Sequence, residues 1–249
     1  MNEFENRNYL VVGATSGIGK SVCTMLADCN ANVILLARTD ETLQNMKDSL
    51  PPGHHAAIPC DVTSLNNIEP AVEKIKGQYQ RIDGLVWCVG LGKTGRLRDL
   101  KIDDMIQAFG GSCFAFLETV KILMSGKPKT QSLRIVAISS LASSEFQKYL
   151  TLYAASKAAL EASIRCLAAE LGSRNTRINA IRPAFVDTPR LYGLNEITGN
   201  VEASLIKSGY QPLGLIDAAD VAKVTLFLLS DSASHINGVS WAINGGASC

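Results

Sequence analysis

Tyr153 and Lys157 stand four residues apart in the run Leu152-Tyr153-Ala154-Ala155-Ser156-Lys157-Ala158-Ala159-Leu160. From Leu152 to Leu171 the chain is rich in Ala and Leu and carries neither Gly nor Pro, which predicts a helix. On a helix this spacing puts the phenol and the ammonium on one face, one turn apart. A neighbouring ammonium favours phenolate and draws a phenol pKa down from about 10 toward neutrality. The result is a proton donor or acceptor usable near pH 7. The same spacing also occurs on ordinary amphipathic surfaces, so the elements around the pair have to decide between the two readings.

Those elements alternate. Short apolar, β-branched runs predict strands at Tyr9–Val12, Val33–Leu36, Ala56–Pro59, Gly84–Trp87, Leu133–Ser139, Arg177–Arg182 and Ser240–Ile243. Between most of them lie helical patterns, at Gly17–Cys29, Glu41–Ser49, Ser64–Gln78, Asp103–Met124, Leu152–Leu171 and Ala218–Leu229. Alternation of this kind predicts βαβ units and an α/β fold, a mostly parallel, doubly wound seven-stranded sheet with helices on both faces. No repeat or Pro/Gly-rich linker divides the chain, so residues 1–249 read as one domain. The polar, Gly-interrupted segment 189–212 reads as a substrate loop or lid.

Composition narrows the classes. Hydrophobic residues at 47% exclude a disordered chain, and a net charge of +1 without like-charge blocks argues against a nucleic-acid surface or a polybasic membrane anchor. No apolar run approaches the roughly 18 to 20 residues of a bilayer span. Met1–Arg7 is polar and acidic, unlike a signal peptide. The seven cysteines form no CxxC pair and no cluster with His, which argues against a metal site or a disulfide framework and fits a reducing cytoplasm.

Directly after the first strand comes Gly13-Ala14-Thr15-Ser16-Gly17-Ile18-Gly19-Lys20. Glycines there allow a tight turn and close approach of backbone to a pyrophosphate seated at a helix N-terminus. After the second strand, where NAD-selective sites place a carboxylate for the ribose 2′-hydroxyl, the chain reads Leu36-Ala37-Arg38-Thr39. A neutral residue followed by Arg favours the 2′-phosphate of NADP(H). A merely solvated Arg38 is the alternative.

Taken together, these motifs resemble the short-chain dehydrogenase/reductase family in its classical single-domain Rossmann form. The resemblance runs through nearly the whole chain in family order: Gly13 to Gly19, Asp61-Val62, Tyr153 to Lys157, Asn179 to Thr188, and Asn237-Gly238 through Asn244-Gly245-Gly246. It implies cofactor contacts from Gly13, Ser16, Gly17, Ile18, Gly19, Arg38, Asp61 (to the adenine), Val62, Gly90, Pro183, Val186 and Thr188. It also implies a catalytic serine thirteen residues before the tyrosine, at Ser140, with Ser139 as the near miss. The implied chemistry is hydride transfer, in which Tyr153 protonates the carbonyl oxygen, Ser140 hydrogen-bonds it, and Lys157 supports the tyrosine and holds the nicotinamide ribose.

Three departures stand out. The family's Asn-Asn-Ala-Gly becomes Trp87-Cys88-Val89-Gly90, so loop contacts to cofactor pass to backbone groups. The Asn that many members carry in the next helix, supporting a water-mediated relay to the lysine, is replaced by Ser112, or by Gly111 if the register slips by one. The pair Gly110-Gly111 weakens that helix by about 1 kcal/mol per Gly and predicts a local kink or bulge. Pro183-Ala184 and Asn244-Gly245-Gly246 replace Pro-Gly and Asp-Gly-Gly.

Within the family the tail is most similar to 3-oxoacyl carrier-protein reductases, in Pro212-Leu213-Gly214, Ala219-Asp220-Val221-Ala222 and Phe227-Leu228-Leu229-Ser230. That implies an NADPH-dependent reductase of a small or carrier-bound carbonyl. A sugar, polyol or other secondary-alcohol dehydrogenase is the alternative, and a non-catalytic NADP-binding sensor is the alternative of another class. The resemblance further implies a homotetramer or homodimer, paired through the helices Asp103–Met124 and Leu152–Leu171.

Overall fold

The computed structural model describes residues 3–125, 132–145, 148–192 and 208–247. Of the segment 189–212 expected to form a lid, residues 193–207 therefore lie outside the described residues.

Strands β1 (Asn8–Val12), β2 (Asn32–Ala37), β3 (Ala56–Pro59), β4 (Gly84–Trp87), β5 (Leu133–Ile138), β6 (Thr176–Pro183) and β9 (Ser240–Ile243) form one sheet in the order β3-β2-β1-β4-β5-β6-β9. Every pairing in it is parallel. Two-residue strands β7 (Val186–Asp187) and β8 (Ile216–Asp217) pair separately above it. Helices α1 (Gly17–Asp28), α2 (Asp40–Asp48), α3 (Ile68–Gln78), α4 (Ile102–Phe109), α5 (Ala115–Met124), α6 (Thr151–Leu171) and α7 (Ala218–Leu229) complete the two outer layers. The seven strands and six helical segments of the sequence reading are all present with ends within one residue, except that the helix expected from Ser64 begins at Ile68 after a 3-10 turn over Leu65–Asn67, and the one expected over Asp103–Met124 is divided into α4 and α5.

Both sheet faces are buried, which is why the strands read as continuous apolar runs rather than alternating ones. Leu10, Val12, Leu85 and Trp87 point into the core under α3, α5 and α6. Tyr9, Val11, Val86 and Val136 point into the opposite core, under α1 and α7. Trp87 meets Phe116 edge-on at 5.9 Å, and each such fully buried side chain contributes about 2 to 3 kcal/mol.

The long helix opposite β4 is interrupted as its glycines predicted. Between α4 and α5 the backbone makes a π turn over Gly110–Phe114, so the chain shifts register without leaving the helix axis. Over its 23 residues, Ile102–Met124 is long and apolar enough to cross a bilayer, contrary to the expectation that no segment would be. Its most apolar 18-residue stretch tolerates a few polar and charged residues, and 61% of that stretch is packed inside the protein.

Parallel strands place all their carboxyl ends on one edge of the sheet. The register aligns Val12 with Trp87, Trp87 with Ala137, and Ile138 with Ile181, so the loops leaving β1, β4, β5 and β6 emerge side by side. The order reverses between β1 and β4, where a crevice opens. Asn179 and Asn237 act as struts for the last strand: Asn179 Nδ2 donates to Ile236 O (2.9 Å), and Ile178 N donates to Asn237 Oδ1 (2.9 Å).

Candidate active site

The crevice holds two adjoining cavities. The larger, about 390 Å³, runs along the glycine turn, the end of β2 at Leu36–Thr39, and Asp61–Thr63. The smaller, about 200 Å³, is lined by Ser140, Tyr153, Lys157, Pro183, Phe185 and Tyr210, among others. Ile18, Cys88, Gly90, Thr188 and Arg190 line both, so the two are continuous.

The larger cavity fits a dinucleotide. Gly13 and Gly17 take positive φ, at 83° and 50°. A Cβ on Gly19 would lie 2.0 Å from Gly13 O, so only glycine lets the turn fold over the start of α1. Ser16 occupies the N-cap of α1 without a side-chain cap bond, leaving the first helical N–H groups directed toward the cavity for a pyrophosphate. Arg38 is exposed at its far end and has no ion pair or hydrogen bond among the described residues. Asp61 Oδ1 accepts from Thr63 N (3.0 Å) and Thr63 Oγ1 (2.8 Å), which leaves its second oxygen available for an amino group. Val62 is buried beside it.

At the junction, α6 presents Tyr153 and Lys157 on one face as the spacing predicted. Lys157 is buried, and its Nζ donates to Ile138 O (2.7 Å) and Val89 O (3.2 Å), at the ends of β5 and β4. It lies 6.0 Å from the Tyr153 ring centroid. Burial pushes its pKa down to about 7, and the Arg190 guanidinium adds to that, while Cys88 and Glu161 oppose it. Cys88, facing the same ammonium, has its thiol pushed up to about 12 by burial, against the pull of Lys157. It is therefore a neutral thiol at physiological pH.

Ser140 follows β5 and is half-buried in the smaller cavity. Its Oγ accepts from Ala142 N (3.2 Å), which leaves its own proton free to be donated. Ser139, the near miss, donates instead to Glu161 Oε1 at 2.5 Å. Thr188 Oγ1 donates to Val186 O (3.3 Å), and its methyl packs 3.0 Å from where a Cβ on Gly17 would stand. Pro183, Val186 and Thr188 line the smaller cavity together.

Ser112 lies in the π turn and lines neither cavity. Its Oγ bonds to both Leu91 N and Leu91 O at 3.3 Å, and Ser156 Oγ donates to it at 3.5 Å. Gly111 faces the Leu91 side chain so closely that a Cβ would come within 2.4 Å of Leu91 Cδ1. Of the two candidate positions, Ser112 is the one whose side chain reaches the loop after β4.

Four features of the site went unread in the sequence. Arg190, exposed in the helical turn that starts at Pro189, donates to Gly90 O at 2.5 Å and stacks on Tyr153. Gly92 abuts Tyr153 directly. Glu145 accepts from Tyr210 Oη (2.8 Å) at the outer wall of the smaller cavity. Gln211 exchanges two 3.0 Å bonds with the backbone of Phe185, fixing that wall. Glu161, four residues after Lys157 on the same helical face, is a fifth, and its spacing is that of any helical carboxylate.

The model of the family described as Enoyl-(Acyl carrier protein) reductase matches residues 13–248. The chain belongs to the short-chain dehydrogenase/reductase family. Members similar to it include the 3-oxoacyl-[acyl-carrier-protein] reductase of Thermotoga maritima, 31% identical with 97% of this chain and 98% of that protein covered. Carbonyl reductase family member 4 of Danio rerio is 30% identical over 97% and 98%. Among solved structures, a 7α-hydroxysteroid dehydrogenase complexed with NADH and 7-oxo glycochenodeoxycholic acid superposes with a TM-score of 0.92 at 26% identity, covering 99% of this chain and 96% of that one. As a short-chain dehydrogenase/reductase the protein is an oxidoreductase that interconverts a carbonyl and an alcohol with a nicotinamide dinucleotide.

Proposed function

We propose that this short-chain reductase is a single-domain, NADPH-dependent carbonyl reductase that takes a 3-oxoacyl thioester. The observation that carries the reading is the meeting of Ser140, Tyr153 and Lys157 on the wall of the small cavity, which joins the dinucleotide cleft at Gly90 and Arg190. A dinucleotide bound there supplies the hydride. Tyr153 gives its phenolic proton to the substrate oxygen. Ser140, its acceptor lone pair already engaged by Ala142 N, donates to the same oxygen as negative charge develops on it. Lys157, held by two carbonyls, presents an ammonium that attracts the charge left on Tyr153 and would hold the ribose of a bound dinucleotide. Ser112 keeps the Leu91 backbone in place rather than touching substrate. Arg38, unengaged among the described residues, supports selection of the 2′-phosphate. The apolar wall of Leu141, Leu150, Phe185 and Leu191 supports an acyl chain.

Turnover is measured as NADPH oxidation with acetoacetyl and longer 3-oxoacyl thioesters, an enoyl thioester, a steroid ketone and a ketose. Reduction of the 3-oxoacyl thioesters above the others, with a loss of ~10³-fold in Tyr153→Phe, is expected. Wild-type turnover in Tyr153→Phe would sink the mechanism. Tight NADPH binding with no carbonyl reduced would favour a sensor.

The free cysteines spread through the described residues support a cytoplasmic setting. Ile102, Ile106 and Phe114, half or more exposed along α4 and the π turn, support association into a homotetramer or homodimer through that face. Light scattering of the purified protein tests the assembly.

A further inference from the structure

We propose that Glu161 is a positioning residue of this active site: from the face of α6 that carries Tyr153 and Lys157, it clamps the loop that presents Ser140. The inference rests on the reading of Ser140, Tyr153 and Lys157 as the reacting groups.

Glu161 is 5% exposed, and a carboxylate so buried is costly unless its oxygens are bonded. Its Oε1 accepts from Ser139 Oγ and from Ser143 Oγ, each at 2.5 Å, the length of a charge-assisted hydroxyl–carboxylate bond. These two serines flank Ser140. Ser143 Oγ also lies 2.7 Å from Ser140 O, to which it can donate in place of Glu161. One residue upstream of Ser139, Ile138 O accepts from Lys157. Residues 157 and 161, one helical turn apart, thus grip the exit of β5 at positions 138, 139 and 143, and Ser140 is suspended between the grips. An apolar residue at 161 would pack there without the desolvation cost, so the carboxylate acts through what it holds.

The same charge faces Lys157, whose other charged or titratable neighbours are Arg190, Cys88 and Tyr153. Glu161 opposes the effects of burial and of Arg190 on that lysine. Loop geometry and lysine charge are therefore coupled through one side chain.

Glu161→Gln, Glu161→Asp and the double variant Ser139→Ala/Ser143→Ala separate the two effects. The amide keeps an acceptor and loses the charge, so the alkaline limb of kcat for reduction should move to lower pH. The aspartate keeps the charge but is one methylene too short to reach both serines. It and the double variant should lose ~10- to 100-fold in kcat. The Kd for NADPH should stay within about twofold in all of them, since no cofactor-facing group is altered. Wild-type kcat in Glu161→Asp and in the double variant, with an unmoved limb in Glu161→Gln, would overturn the proposal. So would losses of kcat that only track losses of folded, NADPH-binding protein. If Glu161→Gln does not fold, the double variant decides. Tyr153→Phe run in parallel keeps the two readings apart: its full activity would remove the reacting groups themselves, whereas its inactivity beside unaltered Glu161 variants would remove only the clamp.

Discussion

The Arg190 guanidinium lies 4.8 Å from the centroid of the Tyr153 ring while donating to Gly90 O at 2.5 Å. A second cation thus stands over the phenol, on the boundary of the two cavities, and depresses the pKa of Lys157. Replacing it with an uncharged side chain of similar length should let that lysine hold its proton to higher pH. In Arg190→Met the alkaline limb of kcat for carbonyl reduction is expected to move upward, opposite to Glu161→Gln. Each unit of movement is a tenfold change in charged lysine well above the limb. A pH–rate profile of NADPH oxidation reads it, and a limb moving downward would reverse the assignment.

Gly92 determines where Tyr153 can stand. A Cβ at this position would lie 2.9 Å from Tyr153 Cβ and 3.0 Å from its Cα, so the loop or the start of α6 must move to admit it. Gly92→Ala should lower kcat by ~10²-fold through misplacement of the phenol and cost about 1 to 3 kcal/mol in stability. Gly77→Ala is the contrast. That glycine sits in α3 with nothing within 4 Å of the added methyl, so the variant should gain up to about 1 kcal/mol with unchanged kinetics. Denaturant titration and initial rates on both variants check the pair.

The inner strands were legible because they are buried on both faces and so show as unbroken apolar runs, as at Tyr9–Val12 and Gly84–Trp87, while the edge strands β3 and β9, only partly buried, still carry short apolar runs. The Gly110-Gly111 pair foretold a distortion, and the π turn lies there. What escaped depends on chain paths that local periodicity does not encode. Two residues per strand give β7 and β8 no period to detect. Arg190 reaches Tyr153 only because the segment after β6 folds back over the crevice, and Gly92 matters only because the loop after β4 runs against α6. Ser112 was visible as a position, but its bonds to the Leu91 backbone, rather than into a cavity, required the geometry of the turn. Glu161 reads, in sequence, like any helical carboxylate; its burial under β5 sets it apart.

Arg38 and Ala37 make cofactor choice separable from catalysis. Arg38 lies on the cleft with no competing partner among the described residues, so a 2′-phosphate gains a charge-assisted contact that a 2′-hydroxyl does not. Arg38→Ala should weaken NADPH ~10- to 100-fold and NADH by less than about threefold. Ala37→Asp, at the end of β2, should push further by repelling the phosphate and accepting from the ribose hydroxyl, so that NADH becomes the better cofactor. The kcat/KM ratio for the two cofactors is the measurement, and an Arg38→Ala ratio unchanged from wild type would make Arg38 a solvated loop residue.

Lys157 should make the stability of the cofactor-free protein rise with pH. Its pKa is about 7 when folded against an ordinary value of 10.5. Below pH 7 the lysine is protonated in both states, and the folded protein bears the full cost of an ammonium in a buried site. Between pH 7 and 10.5 the unfolded chain keeps a proton that the folded protein has released. Since the unfolded state binds more protons there, unfolding free energy increases with pH across that window, and the increase ends near 10.5. Lys157→Met fills a similar volume without the charge. It should therefore stabilise the apo protein at pH 6, on the order of a few kcal/mol, and progressively less toward pH 10, while abolishing turnover. Urea titrations of both proteins at pH 6, 8 and 9.5 give the difference directly. A difference that is flat with pH would mean that the carbonyls of Ile138 and Val89 hold the ammonium well enough to cancel its burial.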